Sequence, residues 1–157
     1  MTETTIAVRH ALTVKAPVDR AFAVFTQRLG TWWPLEPYSI GDSKAVDAVL
    51  EPHEGGRWYE IGEDGSECTW GHVRTYDPPH RVVLSWEISA DWQPDPTATS
   101  EVEVRFTATD EGTRVELEHR GLETYGARTD EMRGIFGSEN GWNGLLRAFA
   151  AGLGAEA

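Results

Sequence analysis

The sequence predicts an α+β domain in which a curved antiparallel sheet wraps around one long C-terminal helix. Three observations predict it: short strand patterns separated by turn signals fill residues 45–120, a helical pattern with one apolar face precedes them over 17–33, and a longer helical pattern follows over 129–153. All 157 residues fit one domain, 1–157. A chain of this size buries about 68–70% of the surface its unfolded form exposes, so a core is available without staples.

The first strand is read at residues 6–14, where Ile6 to Val14 alternate weakly. Ala16-Pro17 stops it, and Pro17 suits the first position of a helix, where its missing N–H would have no partner. Val18, Ala21, Phe22, Phe25 and Leu29 recur at spacings of three and four, which gives that helix one apolar face, and Gly30 is expected to close it. Thr31 to Pro34 then carries two adjacent tryptophans in a short turn or helical piece. Neighbouring side chains cannot face the same way, so one of Trp32 and Trp33 is expected to reach an internal cavity or the surface.

Strands of the meander are expected near Ala45 to Glu51, Arg57 to Gly62, Cys68 to Tyr76, Val82 to Ser89, Thr99 to Thr109 and Thr113 to Arg120. Gly55-Gly56, Asp64-Gly65, Asp77-Pro78-Pro79 and Glu111-Gly112 punctuate them with positive-φ freedom or a fixed proline φ, so hairpins should join most neighbours. Alternation assigns an inward set of Val82, Leu84, Trp86 and Ile88, then Val102, Val104, Phe106 and Ala108, then Val115, Leu117 and His119. Glu101, Glu103, Arg105, Glu116 and Glu118 fall on the solvent side. Around Trp58 and Trp70 the alternation is too poor to choose a face, and the proline-rich connection Ala90 to Ala98 with Trp92 reads as a rim loop.

The last helix is expected to start near Thr129, a capping residue, with Asp130 and Glu131 favourable in its first turn. Ile135, Trp142, Leu146, Phe149 and Leu153 form its apolar stripe, with Met132 and Leu145 at the edges. Glu139 falls inside that stripe, so either the helix bends there or Glu139 faces a polar part of a cavity. Gly134, Gly137, Gly141 and Gly144 each cost about 1 kcal/mol against alanine in a helix interior. Close approach of a backbone, room for a ligand, or a first half of the helix soft enough to open would account for them. The last two together predict that Gly137→Ala with Gly141→Ala raises stability while impairing ligand access.

Composition excludes several functions. Fourteen Lys plus Arg against 26 Asp plus Glu leave a formal charge of -12, which repels phosphate backbones and anionic lipid, so no nucleic-acid partner is expected. No stretch approaches the roughly 20 apolar residues of a membrane span, and the N-terminus lacks a basic segment followed by an apolar one, so neither membrane insertion nor export is expected. The single Cys68 excludes an internal disulfide and fits a reduced, cytoplasmic setting. The five histidines show no ligand spacing, and there is no phosphate-cradling loop or nucleophile elbow, so neither a metal nor a cofactor is expected.

Seven tryptophans are the unusual feature. Core packing explains most indoles, since each buries on the order of 200 Å². Pocket walls are the sharper reading, because ligand sites are predominantly apolar and aromatic. His119 ends an inward strand face before Gly121; it is read first as a core histidine satisfied by a backbone carbonyl, and otherwise as a ligand-bonding or acid–base group with Glu60 and Glu139 as carboxylate companions.

Several segments resemble one family. Ala16-Pro17 followed by Ala21-Phe22, Phe25 and Trp32-Trp33-Pro34 is similar to the opening of the branch of START-like (SRPBCC) domains named for the activator of the heat-shock protein 90 ATPase. Gly55-Gly56-Arg57, Trp70-Gly71-His72-Val73, Asp77-Pro78-Pro79-His80-Arg81-Val82 and Trp86 resemble its central hairpins, and the run Thr113 to His119 with Gly121-Leu122, Gly141-Trp142, Leu146 and Phe149 resembles its ending. The resemblance covers nearly the whole chain and implies a helix-grip (START/Bet v 1-like) fold with a hydrophobic cavity between sheet and C-terminal helix. It implies no catalytic residue. The eukaryotic activator also uses a separate N-terminal domain for chaperone binding, so a chaperone partner is not expected here.

The leading expectation is a module that binds a small apolar or aromatic ligand, lipid- or polyketide-like, lined by Trp32 or Trp33, Trp86, His119, Phe136 and Trp142, with Glu139 at its polar part. A cyclase, dehydratase or hydrolase using His119 or Glu139 in the same cavity is the second. A chaperone-assisting or protein-interaction module with a filled interior is the third. The oligomeric state is left open, a homodimer included.

Overall fold

The computed structural model describes residues 6–35, 43–95, 97–98, 100–138 and 141–156. Seven strands form one antiparallel, curled sheet: β1 (Ala7–Val14), β2 (Ala45–Leu50), β3 (Arg57–Gly62), β4 (Glu67–Asp77), β5 (Arg81–Trp86), β6 (Ser100–Thr109) and β7 (Gly112–Arg120). Their spatial order is β1-β7-β6-β5-β4-β3-β2, so β2 to β7 are a meander of sequence neighbours and only β1 crosses to the far edge. Four helices cover one face: α1 (Val18–Gln27), α2 (Leu29–Trp32), α3 (Thr129–Gly137) and α4 (Trp142–Glu156), with a 3₁₀ segment Leu122–Arg128 before α3. This is the α+β helix-grip architecture expected from the sequence.

In α1, Pro17 is the cap residue rather than the first helical one, and its carbonyl accepts the Ala21 N–H at 2.9 Å. Ala21, Phe22 and Phe25 are buried, as the three-and-four spacing requires. Gly30 does not end this helix. It lies within α2, where a Cβ would meet the Ala48 carbonyl oxygen at 2.9 Å, so its role is close approach to β2. Trp32 and Trp33 are both buried and neither reaches the surface, because the α2 turn sends the two rings to different neighbours.

The inward sets of β5, β6 and β7 pack as expected, except that Ala108 is exposed at the strand end. Glu103 is a correction on the opposite face: only 5% exposed, it is roofed by Arg81, Arg105 and Arg120. Burial pushes the Glu103 carboxyl up, but the hydrogen bonds and charges of Arg120 and Arg105 outweigh it and hold the carboxyl below the usual carboxylate range.

The C-terminal helix is two helices. Ser138 is extended, with φ -75° and ψ 166°, and α3 and α4 are separate elements on either side of it. The change of axis breaks the single stripe: α3 buries Thr129, Met132 and Phe136, while Ile135 is 37% exposed. Thr129 does not cap α3 either. Its hydroxyl donates to the carbonyls of Leu122 and Gly126, tying the 3₁₀ segment to the helix start. Glu139, placed by the sequence in the middle of the stripe, lies outside the described residues.

Candidate functional site

Between the sheet and the α3–α4 junction lies a continuous aromatic cluster. β3 supplies Trp58, β4 Trp70, β5 Trp86, β7 His119, α3 Phe136 and α4 Trp142, and Trp33 enters from the end of α2. All seven are buried. Trp33 lies 4.7 Å from Trp70 and 6.5 Å from Trp142, measured between ring centroids. Trp86 lies 5.6 Å from both Trp58 and Trp142, and His119 sits 4.3 Å from Phe136. Most of these contacts are edge-to-face or tilted, the arrangement that aromatic quadrupoles favour.

Trp58 and Trp70 share the inner face because the sheet is irregular at that point. Trp58 pairs with Gly71 and Tyr59 with Thr69, so Trp70 is an extra residue in β4, and this bulge lets it turn inward beside Trp58. Gly71 is required there: a Cβ would meet the Ser85 carbonyl oxygen at 1.9 Å and the Trp58 Nε1 at 2.7 Å. The space is used by the Trp58 indole N–H, which donates to the Ser85 carbonyl at 2.8 Å.

His119 is 0% exposed, and its two nitrogens are both engaged. The Trp142 indole donates to Nδ1 at 2.9 Å, which places the proton on Nε2, and Nε2 donates to the Ser100 hydroxyl at 2.9 Å. Burial pushes its pKa down to about 3, so the ring is neutral at physiological pH. The partner is thus a hydroxyl and an indole rather than the backbone carbonyl expected from the sequence. Glu60 is no companion either; it is buried and accepts the Trp70 indole N–H at 3.0 Å.

The candidate lining residues therefore fall into two groups. Trp33, Trp86, His119, Phe136 and Trp142 come together in this cluster. Trp32 instead meets Phe25 in a tilted contact at 5.0 Å and Phe149 edge-to-face at 5.3 Å, and its indole donates to the Val24 carbonyl, so it packs α2 against α1 and α4. Two further residues that were not among the candidate lining residues border the cluster. Tyr125 approaches Phe136 at 6.3 Å and donates its hydroxyl to the Ile88 carbonyl, and burial pushes its pKa up to about 12. Trp92 approaches Phe136 at 6.0 Å from the rim loop, where its φ of 61° is unusual for a bulky residue.

Two polar arrangements lie away from the cluster. Glu87 accepts from the Ser85 hydroxyl at 2.5 Å and contacts His72 Nδ1 at 2.7 Å. Ser85 thus gives its proton to a carboxylate, but at 1% exposure its hydroxyl is out of reach of a substrate. A charged groove of about 450 Å³, lined by Arg9, Glu103, Arg105, Arg114, Glu116 and Glu118, marks the outer face of β1, β7 and β6. Among the described residues no group of three or more His, Cys, Asp or Glu is placed to hold a metal, and no helix is long and apolar enough to cross a membrane.

The profile of the family described as activator of Hsp90 ATPase homolog 1-like protein matches residues 15–154. Among solved structures, the chain is similar to an anthrahydroquino-γ-pyrone synthase, Txn09, solved complexed with SUM, at 36% identity over 93% of this chain and 96% of that one, with a TM-score of 0.65. It is similar to CalC from Micromonospora echinospora, a self-sacrificing resistance protein, at 33% identity over 96% of each chain and a TM-score of 0.69. An AHSA1-like protein from Aeromonas hydrophila, at 17% identity over 96% of this chain and 94% of that one with a TM-score of 0.62, shares the fold. No curated protein matches the chain.

Proposed function

The chain belongs to the activator of Hsp90 ATPase homolog 1-like family, and from that premise we propose that it encloses a small apolar or aromatic molecule, polyketide-like in character, between the sheet and the C-terminal helices. The observation that carries this reading is the position of the break between α3 and α4. It falls where Phe136 and Trp142 flank His119 over the tryptophans of the sheet, so the cover of the aromatic cluster is the part of the fold that is not one continuous helix. Two short helices hinged at an extended residue move apart more readily than a single rod, which suits a ligand that must pass beneath them. The lining would be Trp33, Trp86, His119, Phe136 and Trp142, with Trp32 structural.

Affinity would come mostly from buried apolar area. A tricyclic molecule losing about 300 Å² to the protein gains roughly 7 kcal/mol at 25 cal/mol per Å², before the cost of association is subtracted. The name of one similar protein, an anthrahydroquino-γ-pyrone synthase, supports an aromatic ligand. That name also favours a second reading, an enzyme in the same cavity. His119 is poorly suited to be its acid or base, because both ring nitrogens are occupied and burial keeps it neutral.

Native mass spectrometry of freshly purified protein, followed by titration with the neutral dye Nile red, tests the proposal. A retained small molecule or saturable one-to-one dye binding, lost on Trp142→Ala in a variant that still folds, is the expected result. No retained mass and no saturable dye binding would overturn it in favour of a filled core.

A further inference from the structure

The indole N–H groups of the aromatic cluster divide into two sets. Those of Trp58, Trp70 and Trp142 each find an acceptor inside the protein: the Ser85 carbonyl, the Glu60 carboxyl and His119 Nδ1. Among the described residues those of Trp33 and Trp86 make no hydrogen bond, although the residues are only 6% and 5% exposed, and the Tyr125 hydroxyl is the polar group beside Trp86. Native proteins leave few buried polar groups unpaired, and each that remains calls for an explanation. Here two occur in one cluster, and both rings flank the same pair, Trp58 and Trp142: Trp33 at 6.1 and 6.5 Å, Trp86 at 5.6 Å from each.

The rest of the wall limits what can satisfy them. His119 has no spare acceptor, since Nδ1 takes the Trp142 proton and Nε2 carries its own to Ser100. None of the described residues of the cluster is cationic, Glu60 brings a buried carboxyl to it, and the chain as a whole carries -12. An anionic ligand would enter an apolar site without a counter-charge. The wall therefore offers π faces and two N–H donors, and its complement is a flat, neutral molecule with a strong acceptor.

We infer that this cluster selects neutral polycyclic aromatic molecules bearing a ring carbonyl, whose oxygen accepts from the unpaired indole N–H of Trp33 or Trp86. The inference rests on the ligand-binding reading above and names the chemical class that reading leaves open. A carbonyl gains a hydrogen bond that the hydrocarbon analogue cannot make, and the analogue leaves a buried donor unmet, so the two differ in affinity although they differ little in shape.

Equilibrium dialysis of the full chain against xanthone, xanthene and xanthone-2-carboxylate tests it. Xanthone and xanthene share the tricyclic frame and the ring ether and differ at the carbonyl. Xanthone is expected to bind about tenfold more tightly than xanthene and than the carboxylate. In the double variant Trp33→Phe, Trp86→Phe the xanthone-to-xanthene ratio falls to about one. That ratio is internal to each variant, so general loosening of the site does not mimic the result. Each single variant supplies the same ratio if the double variant does not fold, with a fall expected for at least one of the two. Equal binding of xanthone and xanthene by the parent protein, or an unchanged ratio in the variants, would overturn the inference. Binding of Nile red with neither tricycle bound overturns it alone, whereas failure of Nile red as well overturns the ligand-binding reading.

Discussion

Acidification should destabilise this protein through His119 well before its carboxylates contribute. In the folded state burial lowers the His119 pKa from 6.5 to about 3, with no charged group among its ring neighbours Ser100, Trp86, Phe136 and Trp142. The unfolded chain has no such restriction and binds the proton first. Stability is therefore complete above the unfolded value and falls as pH drops from 6.5 toward 3, at about 1.4 kcal/mol per pH unit. Between about pH 7.5 and about pH 5 this one ring removes roughly 2 kcal/mol, a large part of the 5–15 kcal/mol typical of a domain. Glu103, whose pKa is also lowered, acts only below its ordinary value of 4.5 and leaves that window clear. Urea unfolding of the parent and of His119→Gln across the window measures the difference. Gln keeps a neutral amide against Ser100 and Trp142, so it should lower stability at high pH yet flatten the pH slope. Equal slopes in the two proteins would show that His119 is protonated in the folded state and that its pairing is not as described.

Two further predictions concern the helix break and the sheet exterior. A Cβ at Gly141 would meet the carbonyl oxygens of Ile135 and Phe136 at 2.5 and 2.6 Å, whereas at Gly134 it would meet nothing within 4 Å. Thermal unfolding should thus show Gly141→Ala destabilised by about 2 kcal/mol or more and Gly134→Ala stabilised by up to about 1 kcal/mol. This revises the sequence-based expectation that alanines at Gly137 and Gly141 together raise stability; Gly137, 3.4 Å from Val8 Cγ1, tolerates the change, and Gly141 does not. Glu103→Ala leaves Arg81, Arg105 and Arg120 crowded without their shared carboxylate and should cost about 1–3 kcal/mol in urea unfolding, while Glu116→Ala on the same face, half exposed, should be nearly neutral.

The strands were legible because they obey a period of two and end at glycine or proline. β3 and β6 fall within a residue of their expected bounds, since Gly55-Gly56 and Glu111-Gly112 punctuate cleanly. What could not be read arose where backbone irregularity overrides the period. The bulge at Trp70 shifts the face of a side chain without any sign in the alternation, which is why Trp58 and Trp70, two walls of the cluster, were unassigned. The break after Gly137 resets the helical phase, so projection at a constant angle per residue buried Ile135 wrongly and left Phe136 outside the stripe. Four glycines and a misplaced Glu139 were the available signals, and they pointed to a bend as one of two outcomes. His119 was placed on the inner face correctly, but its partners were invisible: Ser100 lies on a neighbouring strand and Trp142 on a helix 23 residues later.

The pairing of β1 with β7 has a consequence for the order in which the molecule can be made. Ala7 lies opposite Arg120 and Val14 opposite Thr113, so the first strand to leave the ribosome must wait for the last one. The meander from β2 to β7 needs only neighbours and can assemble as it is synthesised, at about 5–20 residues per second. During those seconds β1 is an unpaired strand, and the edge of β7 that it will occupy does not yet exist. Closing so long a loop is slow on entropic grounds. The N-terminal strand is thus the last piece of the sheet to dock and the segment most exposed to cellular proteases and to neighbouring chains while translation continues.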